Sequence, residues 1–201
     1  MKKVLCFGDS NTFGFNPKNG SRFDKSSRWT GILQALCKNE FNIIEAGCNN
    51  RTAFSDNPAG KMFTGYKILP DFFKQDLDFV ILAIGINDLQ FQYNVTLESI
   101  STGMSSLVEM VKKSLPNSKI VLVSPTELTE NVLKSPIFST LFDETSIEKS
   151  KYLSKIYFEI SKKYDCAFID LNSIAIPSDI DGLHFEPSEH EKIAKIIFEH
   201  L

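Results

Sequence analysis

The stretch Phe79-Val80-Ile81-Leu82-Ala83-Ile84, followed at once by Gly85-Ile86-Asn87-Asp88, decides the fold class of this chain. Consecutive apolar residues of this length predict a strand that is buried on both faces, as the strands of parallel sheets are. A glycine and two polar residues then follow, where that strand must end. The stretch therefore predicts a parallel β-sheet with polar residues at the carboxyl end of one strand.

Short apolar runs alternate with longer helical patterns along the rest of the chain. Four more strands are predicted, at Val4–Phe7, Asn42–Ala46, Ile120–Val123 and Ala167–Ile169. The predicted helices are Arg28–Lys38, Phe63–Lys74, Val95–Leu115, Ser146–Tyr164 and Pro187–Leu201. Strands separated by helices indicate an α/β fold, with a five-stranded parallel sheet between helical layers. At 201 residues the chain is expected to form a single domain, 1–201.

Composition and charge exclude several classes of partner. A net charge of -3 argues against nucleic acid, because proteins that bind nucleic acid carry a basic face. No stretch approaches the roughly 20 apolar residues of a membrane span, so no membrane partner is expected. The apolar run that begins the chain ends at Gly8-Asp9, too early for a secretion signal. The four cysteines lack metal-binding spacing and are expected to be reduced, so we expect a cytoplasmic protein.

Five chemically capable residues follow the predicted strands. Ser10 follows the first strand, Gly47 the second and Asn87 the third, whereas Asp181 and His184 follow the fifth. Ligands of parallel sheets bind outside the carboxyl ends of the strands. We therefore expect these residues to converge at one edge of the sheet.

Asp181 and His184 have the spacing of an acid that orients a general base. An imidazole can accept and return a proton near neutral pH, and a carboxylate three residues earlier can reach its Nδ1–H. Ser10 would then be the nucleophile, because a serine hydroxyl needs such a base. Taken singly, Ser10 could instead cap a helix, and Asp181 could form an Asx-turn. His190 and His200 are expected on the solvated side of the last helix, which leaves His184 as the base.

Three groups are candidate donors for the oxyanion that forms when an ester carbonyl is attacked. They are the backbone N–H groups of Ser10 and Gly47 and the side-chain amide of Asn87. Asp9 and Asp88 flank these positions and are expected to accept hydrogen bonds from backbone amides of the same loops.

Residues near Ser10 and two long irregular stretches are candidates for the substrate pocket. The candidate contact residues are Asn11, Phe13, Phe15 and Trp29. The irregular stretches are Gly14–Ser27 and Pro125–Thr145, which either wall the pocket or form variable surface.

The order Gly8-Asp9-Ser10, Gly47, Gly85-x-Asn87-Asp88, Asp181-x-x-His184 resembles the SGNH (GDSL-type) hydrolases. The resemblance implies a three-layer α/β/α flavodoxin-like fold and a serine esterase that uses neither a metal nor a cofactor. It also implies the same roles for Ser10, Gly47, Asn87, Asp181 and His184.

A narrower likeness is to the arylesterase and acyltransferase branch of that family. It is carried by Gly8–Phe15, by Arg28-Trp29, by Arg51-Thr52-Ala53 and by Asp56-Asn57-Pro58. Because several members of this branch form homo-oligomers, a homo-oligomer is a possible state. Asn50 stands where the branch often has a second glycine, and asparagine tolerates left-handed backbone angles.

The expected function is hydrolysis of short-chain carboxylic esters through an acyl-enzyme on Ser10, with acyl transfer as an additional activity. The partner is then a small-molecule ester. A carbohydrate O-deacetylase is the alternative within the enzymes. A catalytically silent ligand-binding module is the alternative outside them.

Overall fold

A computed structural model describes residues 1–201 and contains one parallel sheet of five strands. The strands are β1 (Lys2–Gly8), β2 (Phe41–Gly47), β3 (Phe79–Ala83), β4 (Lys119–Ser124) and β5 (Ala167–Asp170). Their order across the sheet is β2-β1-β3-β4-β5, and every neighbouring pair is parallel. All five carboxyl ends therefore lie at the same edge, as the sequence predicted.

Eight α-helices accompany the sheet. They are α1 (Ser10–Phe13), α2 (Trp29–Cys37), α3 (Gly65–Ile68), α4 (Leu97–Ser114), α5 (Asn131–Lys134), α6 (Glu144–Ser150), α7 (Leu153–Tyr164) and α8 (Pro187–Phe198). None of them has the length and apolar character needed to cross a membrane.

Alternate residues of each inner strand point to opposite faces of the sheet and build two separate cores. In β1, Val4 and Cys6 join one core, whereas Leu5 and Phe7 join the other. The first core is closed by α2 and α8, and the second by α4 and α7. The molecule is thus the expected three-layer α/β/α sandwich.

Two predicted helices are wrong in detail. The pattern over 146–164 is divided into α6 and α7, and the break follows the fully buried Ser150. The Ser150 hydroxyl accepts a hydrogen bond from the Leu128 N–H at 3.0 Å, which ties this point to the loop after β4. The segment predicted as a helix at 63–74 consists of α3 and short 3-10 turns, because Pro70 has no N–H to continue a helix.

The stretch 125–145 is also more regular than expected. It contains α5, a 3-10 turn at Phe138–Thr140 and the start of α6. Its short helical pieces give this loop a defined shape above the carboxyl edge of the sheet.

Candidate active site

Ser10 begins a one-turn helix that leaves the end of β1. Asp9 caps this helix, and its Oδ1 accepts a hydrogen bond from the Asn11 N–H at 3.0 Å. The first N–H groups of a helix have no partner within the helix, so the Ser10 N–H is available to a ligand. Burial raises the pKa of Asp9 to about 7, against the opposing effects of the Asn11 N–H and the Arg51 charge. Asp9 thus holds the turn at Ser10, as the sequence predicted.

The structure brings Ser10, His184 and Asp181 into one chain of hydrogen bonds. The His184 Nε2 lies 2.8 Å from the Ser10 Oγ, and the His184 Nδ1 lies 2.7 Å from the Asp181 Oδ2. All three side chains are almost completely buried. With Nδ1 protonated and donating to Asp181, Nε2 is free to accept the proton of the serine hydroxyl.

Asp181 is fixed by the loop that carries His184. Its Oδ1 accepts hydrogen bonds from the Leu183 N–H at 3.0 Å and from the His184 N–H at 2.9 Å. Burial favours the neutral acid, but the His184 ring and these two N–H groups outweigh it and hold the pKa of Asp181 below its usual value. The carboxylate therefore stays ionised beside the imidazole. The Asx-turn considered from the sequence is present and acts together with the histidine contact.

Two aromatic rings lie against the His184 ring. The Phe15 ring centre lies 4.3 Å from that of His184, and the Phe138 ring centre lies 5.1 Å from it. Phe15 belongs to the stretch 14–27 and Phe138 to the stretch 125–145. Both long stretches therefore contribute a wall to the site. Phe138 gave no separate signal in the sequence.

Gly47 ends β2 where the backbone of α1 approaches closely. A Cβ atom at Gly47 would lie 2.2 Å from the Phe13 backbone nitrogen, so no larger residue fits. The next residue, Cys48, donates its N–H to the Gly8 carbonyl of β1 at 3.2 Å. These contacts place the backbone of Gly47 beside α1, the helix that begins at Ser10.

Asn87 lies in a 3-10 turn, Ile86–Leu89, directly after β3. Its Nδ2 donates to the Arg51 carbonyl at 3.1 Å, which leaves the second amide hydrogen free. Its Oδ1 accepts a hydrogen bond from the Gln90 Nε2 at 3.1 Å. Gln90 is buried, and no sequence pattern singled it out.

Asp88 ties this turn to the chain that follows β2. Its carboxylate accepts hydrogen bonds from the N–H groups of Ala53, Phe54 and Ser55 at 2.6, 3.1 and 2.8 Å. Asp88 thus holds backbone amides, as the sequence predicted. The Arg51 guanidinium adds a second tie, because it donates to the carbonyls of Gly8 and Ala46 at the ends of β1 and β2.

The four residues expected to contact substrate lie in different surroundings, and one of them is in the core. Phe15 lies at the site, and Phe13 is half-buried with the Arg22 guanidinium 4.7 Å from its ring centre. Asn11 donates its side-chain amide to the Leu183 carbonyl at 3.2 Å, so it links α1 to the histidine loop. Trp29 is 2% exposed and packs in the core between the sheet, α2 and α8. That placement corrects the expectation that Trp29 contacts substrate, because its ring is covered on all sides.

His190 was expected on the solvated side of the last helix, and this prediction was wrong. It is completely buried, and its Nδ1 accepts a hydrogen bond from the Trp29 N–H at 3.4 Å. Its ring meets those of Phe23 and Phe185 edge-on. Burial lowers the pKa of His190 to about 4, so the ring is neutral and packs as a core residue.

A model of the GDSL-like lipase/acylhydrolase family matches residues 6–192 of the sequence. The chain belongs to this family. No curated protein sequence matches the chain at a significant level.

Solved esterase structures superimpose on the whole chain. The M. smegmatis aryl esterase is 30% identical, with a TM-score of 0.90, and the match covers 100% of this chain and 98% of that one. Est24, a carbohydrate acetylesterase from Sinorhizobium meliloti, is also 30% identical, with a TM-score of 0.92 and the same coverage. A putative arylesterase from Agrobacterium tumefaciens str. C58 is 27% identical, with a TM-score of 0.86, over 100% of this chain and 98% of that one. The family and these neighbours identify the chain as a carboxylic ester hydrolase of the SGNH fold.

Proposed function

We propose that the protein hydrolyses short-chain carboxylic esters through an acyl-enzyme on Ser10. The hydrogen-bonded chain from Ser10 through His184 to Asp181 carries this proposal. The Ser10 Oγ attacks the ester carbonyl carbon, and its proton passes to the His184 Nε2. Asp181 holds the imidazole in the tautomer that can accept this proton, and it stabilises the imidazolium that forms.

The carbonyl oxygen becomes negatively charged during this attack and needs hydrogen-bond donors. The N–H of Ser10, the N–H of Gly47 and the free amide hydrogen of Asn87 supply them in this proposal. Each such donor is worth about 2.7–4 kcal/mol of the activation barrier. The same imidazolium then protonates the departing alkoxide, and the alcohol leaves. Water, with His184 as its base, completes the cycle by attacking the acyl-enzyme and releasing the acid.

The walls of the site favour small acyl groups. Ser10 is only 5% exposed, and the Phe15 and Phe138 rings cover His184 beside it. A short acyl chain such as acetyl requires little room at the serine. An alcohol can attack the same acyl-enzyme in place of water, with His184 again as the base, so acyl transfer belongs to the same proposal.

A carbohydrate O-deacetylase is the second candidate. It is favoured by the likeness to two carbohydrate acetylesterase structures from Sinorhizobium meliloti, which are 27% and 30% identical to this chain. Its chemistry at Ser10 is the same, and it differs only in the alcohol that leaves.

The test of the proposal is turnover of p-nitrophenyl acetate by the wild-type protein and by Ser10→Ala. We expect hydrolysis by the wild type and a loss of at least about 10⁴-fold in kcat for the variant, since removing the nucleophile removes the acyl-enzyme route. Ser139→Ala, at an exposed position of the wall segment, is the matched control and should retain activity. Equal turnover by Ser10→Ala and the wild type would contradict the nucleophile assignment. A wild-type protein without turnover would favour a ligand-binding module.

A panel of esters separates the finer alternatives. Aryl and alkyl esters of acetate, butyrate and octanoate are compared with acetylated oligosaccharides, with and without an added alcohol. We expect kcat/KM to fall with acyl length, because the aromatic walls limit the room at Ser10. A preference for acetylated oligosaccharides over aryl acetate would identify the deacetylase. Absence of any new ester in the presence of the alcohol would exclude acyl transfer.

A further inference from the structure

Gln90 is a buried polar residue beside the proposed oxyanion site, and both the nitrogen and the oxygen of its side-chain amide form hydrogen bonds. It is 1% exposed and follows the turn that carries Asn87. Its Nε2 donates to the Asn87 Oδ1 at 3.1 Å and to the Asn50 Oδ1 at 2.7 Å. Its Oε1 accepts from the Gln92 Nε2 at 2.9 Å. Both amide hydrogens are therefore committed, and each meets an acceptor oxygen.

This arrangement determines which way the Asn87 amide faces. The Asn87 Oδ1 points to the Gln90 donor, and the Asn87 Nδ2 points to the Arg51 carbonyl. A reversed amide would set the N–H groups of Asn87 against those of Gln90, and the two carbonyl oxygens of Asn87 and Arg51 against each other. Because unpaired buried polar groups are costly, only one orientation is stable. That orientation directs a hydrogen of Asn87 into the site.

The second bond of Gln90 reaches the loop that follows Gly47. Asn50 occupies a left-handed conformation there, with φ of 58°, and its carbonyl accepts from the Asn57 Nδ2 at 2.8 Å. Gln90 therefore joins the loop after β2 to the turn after β3. Two of the three proposed oxyanion donors, Gly47 and Asn87, lie on the segments that it joins.

We propose that Gln90 is a positioning residue of the oxyanion hole. It orients the Asn87 amide as a donor and, through Asn50, fixes that donor relative to the Gly47 N–H. Gln90 does not touch the reacting atoms and acts only through Asn87 and Asn50. This inference rests on the proposed esterase function.

The variants Gln90→Leu and Gln90→Glu test this role. Leucine removes the donor, and we expect kcat to fall about 10- to 100-fold because the amide is less well placed. A glutamate at this position sets a carboxylate oxygen against the Oδ1 atoms of Asn87 and Asn50, so the Asn87 amide is pushed out of its donor position. We expect a fall of about 10²–10³-fold, the loss of one oxyanion donor. KM for p-nitrophenyl acetate should change less than about twofold, since the donor acts mainly in the transition state.

A double-mutant cycle distinguishes positioning from general damage. In an Asn87→Ala background, Gln90→Glu should have little further effect on kcat, because the donor that it misplaces is already absent. Gln75→Glu, at an exposed position, is the matched control and should behave as the wild type in both backgrounds. An equal fold-loss from Gln90→Glu in both backgrounds would overturn the inference. Wild-type kcat in both Gln90 variants would overturn it as well, with the esterase function intact.

Asn50→Gly provides a second route if the Gln90 variants do not fold. Glycine accepts the positive φ at this exposed position, so the loop is retained. We expect a smaller fall in kcat with KM unchanged, because the link to the Gly47 loop is lost while the bond to Asn87 remains. An unchanged kcat would overturn the second half of the inference. A wild-type protein without esterase turnover would instead contradict the proposed function.

Discussion

The Ser10 hydroxyl lies against a side chain that is 174 residues further along the chain. A serine hydroxyl is a weak nucleophile until a base takes its proton. The structure places the His184 Nε2 against the hydroxyl and the Asp181 carboxylate against the other ring nitrogen. At the scale of single residues, the proposed mechanism therefore depends on the tautomer of one imidazole.

Replacing Asp181 by asparagine tests that dependence. The asparagine Oδ1 can still accept the N–H groups of Leu183 and His184, so the loop should keep its shape. Its NH₂ group would face Nδ1 and favour the tautomer with Nε2 protonated, which cannot accept the serine proton. We expect kcat for p-nitrophenyl acetate to fall by about 10⁴-fold.

Asp179→Asn is the matched control for this change, since Asp179 is exposed two residues earlier in the same loop. It should retain the wild-type kcat. A loss of less than tenfold in Asp181→Asn, in a folded protein, would contradict the role of Asp181.

At the scale of elements, α8 buries a histidine that its polarity placed on the surface. His190 was expected on the solvated side, yet it shares a face with Ile193, Ala194 and Ile197, which lie three, four and seven positions further on. Residues with that spacing form the buried face of an amphipathic helix, so the burial of His190 was indicated by the sequence. The polarity of histidine obscured it, because a neutral buried imidazole packs as an apolar ring.

The burial of His190 has a consequence for stability against pH. Its pKa is about 4 in the folded protein, below the value of about 6.5 in an unfolded chain, so the unfolded state binds the proton more readily. The stability that depends on a neutral His190 is thus complete above about pH 6.5 and is lost progressively as the pH falls towards 4. The loss amounts to at most about 3 kcal/mol.

His190→Asn measures this contribution. The asparagine Oδ1 can replace Nδ1 as the acceptor for the Trp29 N–H, and it does not titrate. Urea unfolding of both proteins at pH 7.5, 5.5 and 4.5 should show a smaller loss of unfolding free energy in the variant. Asp9 and Asp88 also titrate in this range, so the comparison rests on the difference between the two proteins. Parallel curves for wild type and variant would contradict the assignment.

Some residues of the candidate site could be predicted from the sequence, whereas others depend on contacts between elements. The strand at Phe79–Ala83 and the polar turn after it follow from local pattern. Ser10, Asn87 and His184 were candidates because they lie in segments that follow predicted strands, which all end at one edge of a parallel sheet. Gln90 could not be found in this way, because its importance comes from contacts with Asn50, 40 positions earlier, and with Asn87. The break after Ser150 was hidden for the same reason, since its bond to Leu128 is set by tertiary structure.

At the scale of the whole molecule, the parallel topology assembles the site. Every strand ends at one edge, so the loops after β1, β2, β3 and β5 deliver their polar residues to one place. The two long stretches then close over His184 with Phe15 and Phe138. The alternation of strands and helices along the chain was enough to predict that the site lies at the carboxyl edge of the sheet. It could not predict which aromatic ring would cover the histidine, because that depends on how the stretch 125–145 folds.

In the proposed mechanism, His184 is oriented by Asp181 and activates Ser10 as the nucleophile. The most direct measurement uses a p-nitrophenyl alkylphosphonate, whose phosphorus is attacked by the nucleophile while p-nitrophenolate leaves. Mass spectrometry of the digested protein then identifies the modified residue. We expect one adduct per chain, on Ser10. The rate of its formation should be at least about a hundredfold lower in His184→Asn than in the wild type. An adduct on another residue, or an equal rate in His184→Asn, would contradict the claim.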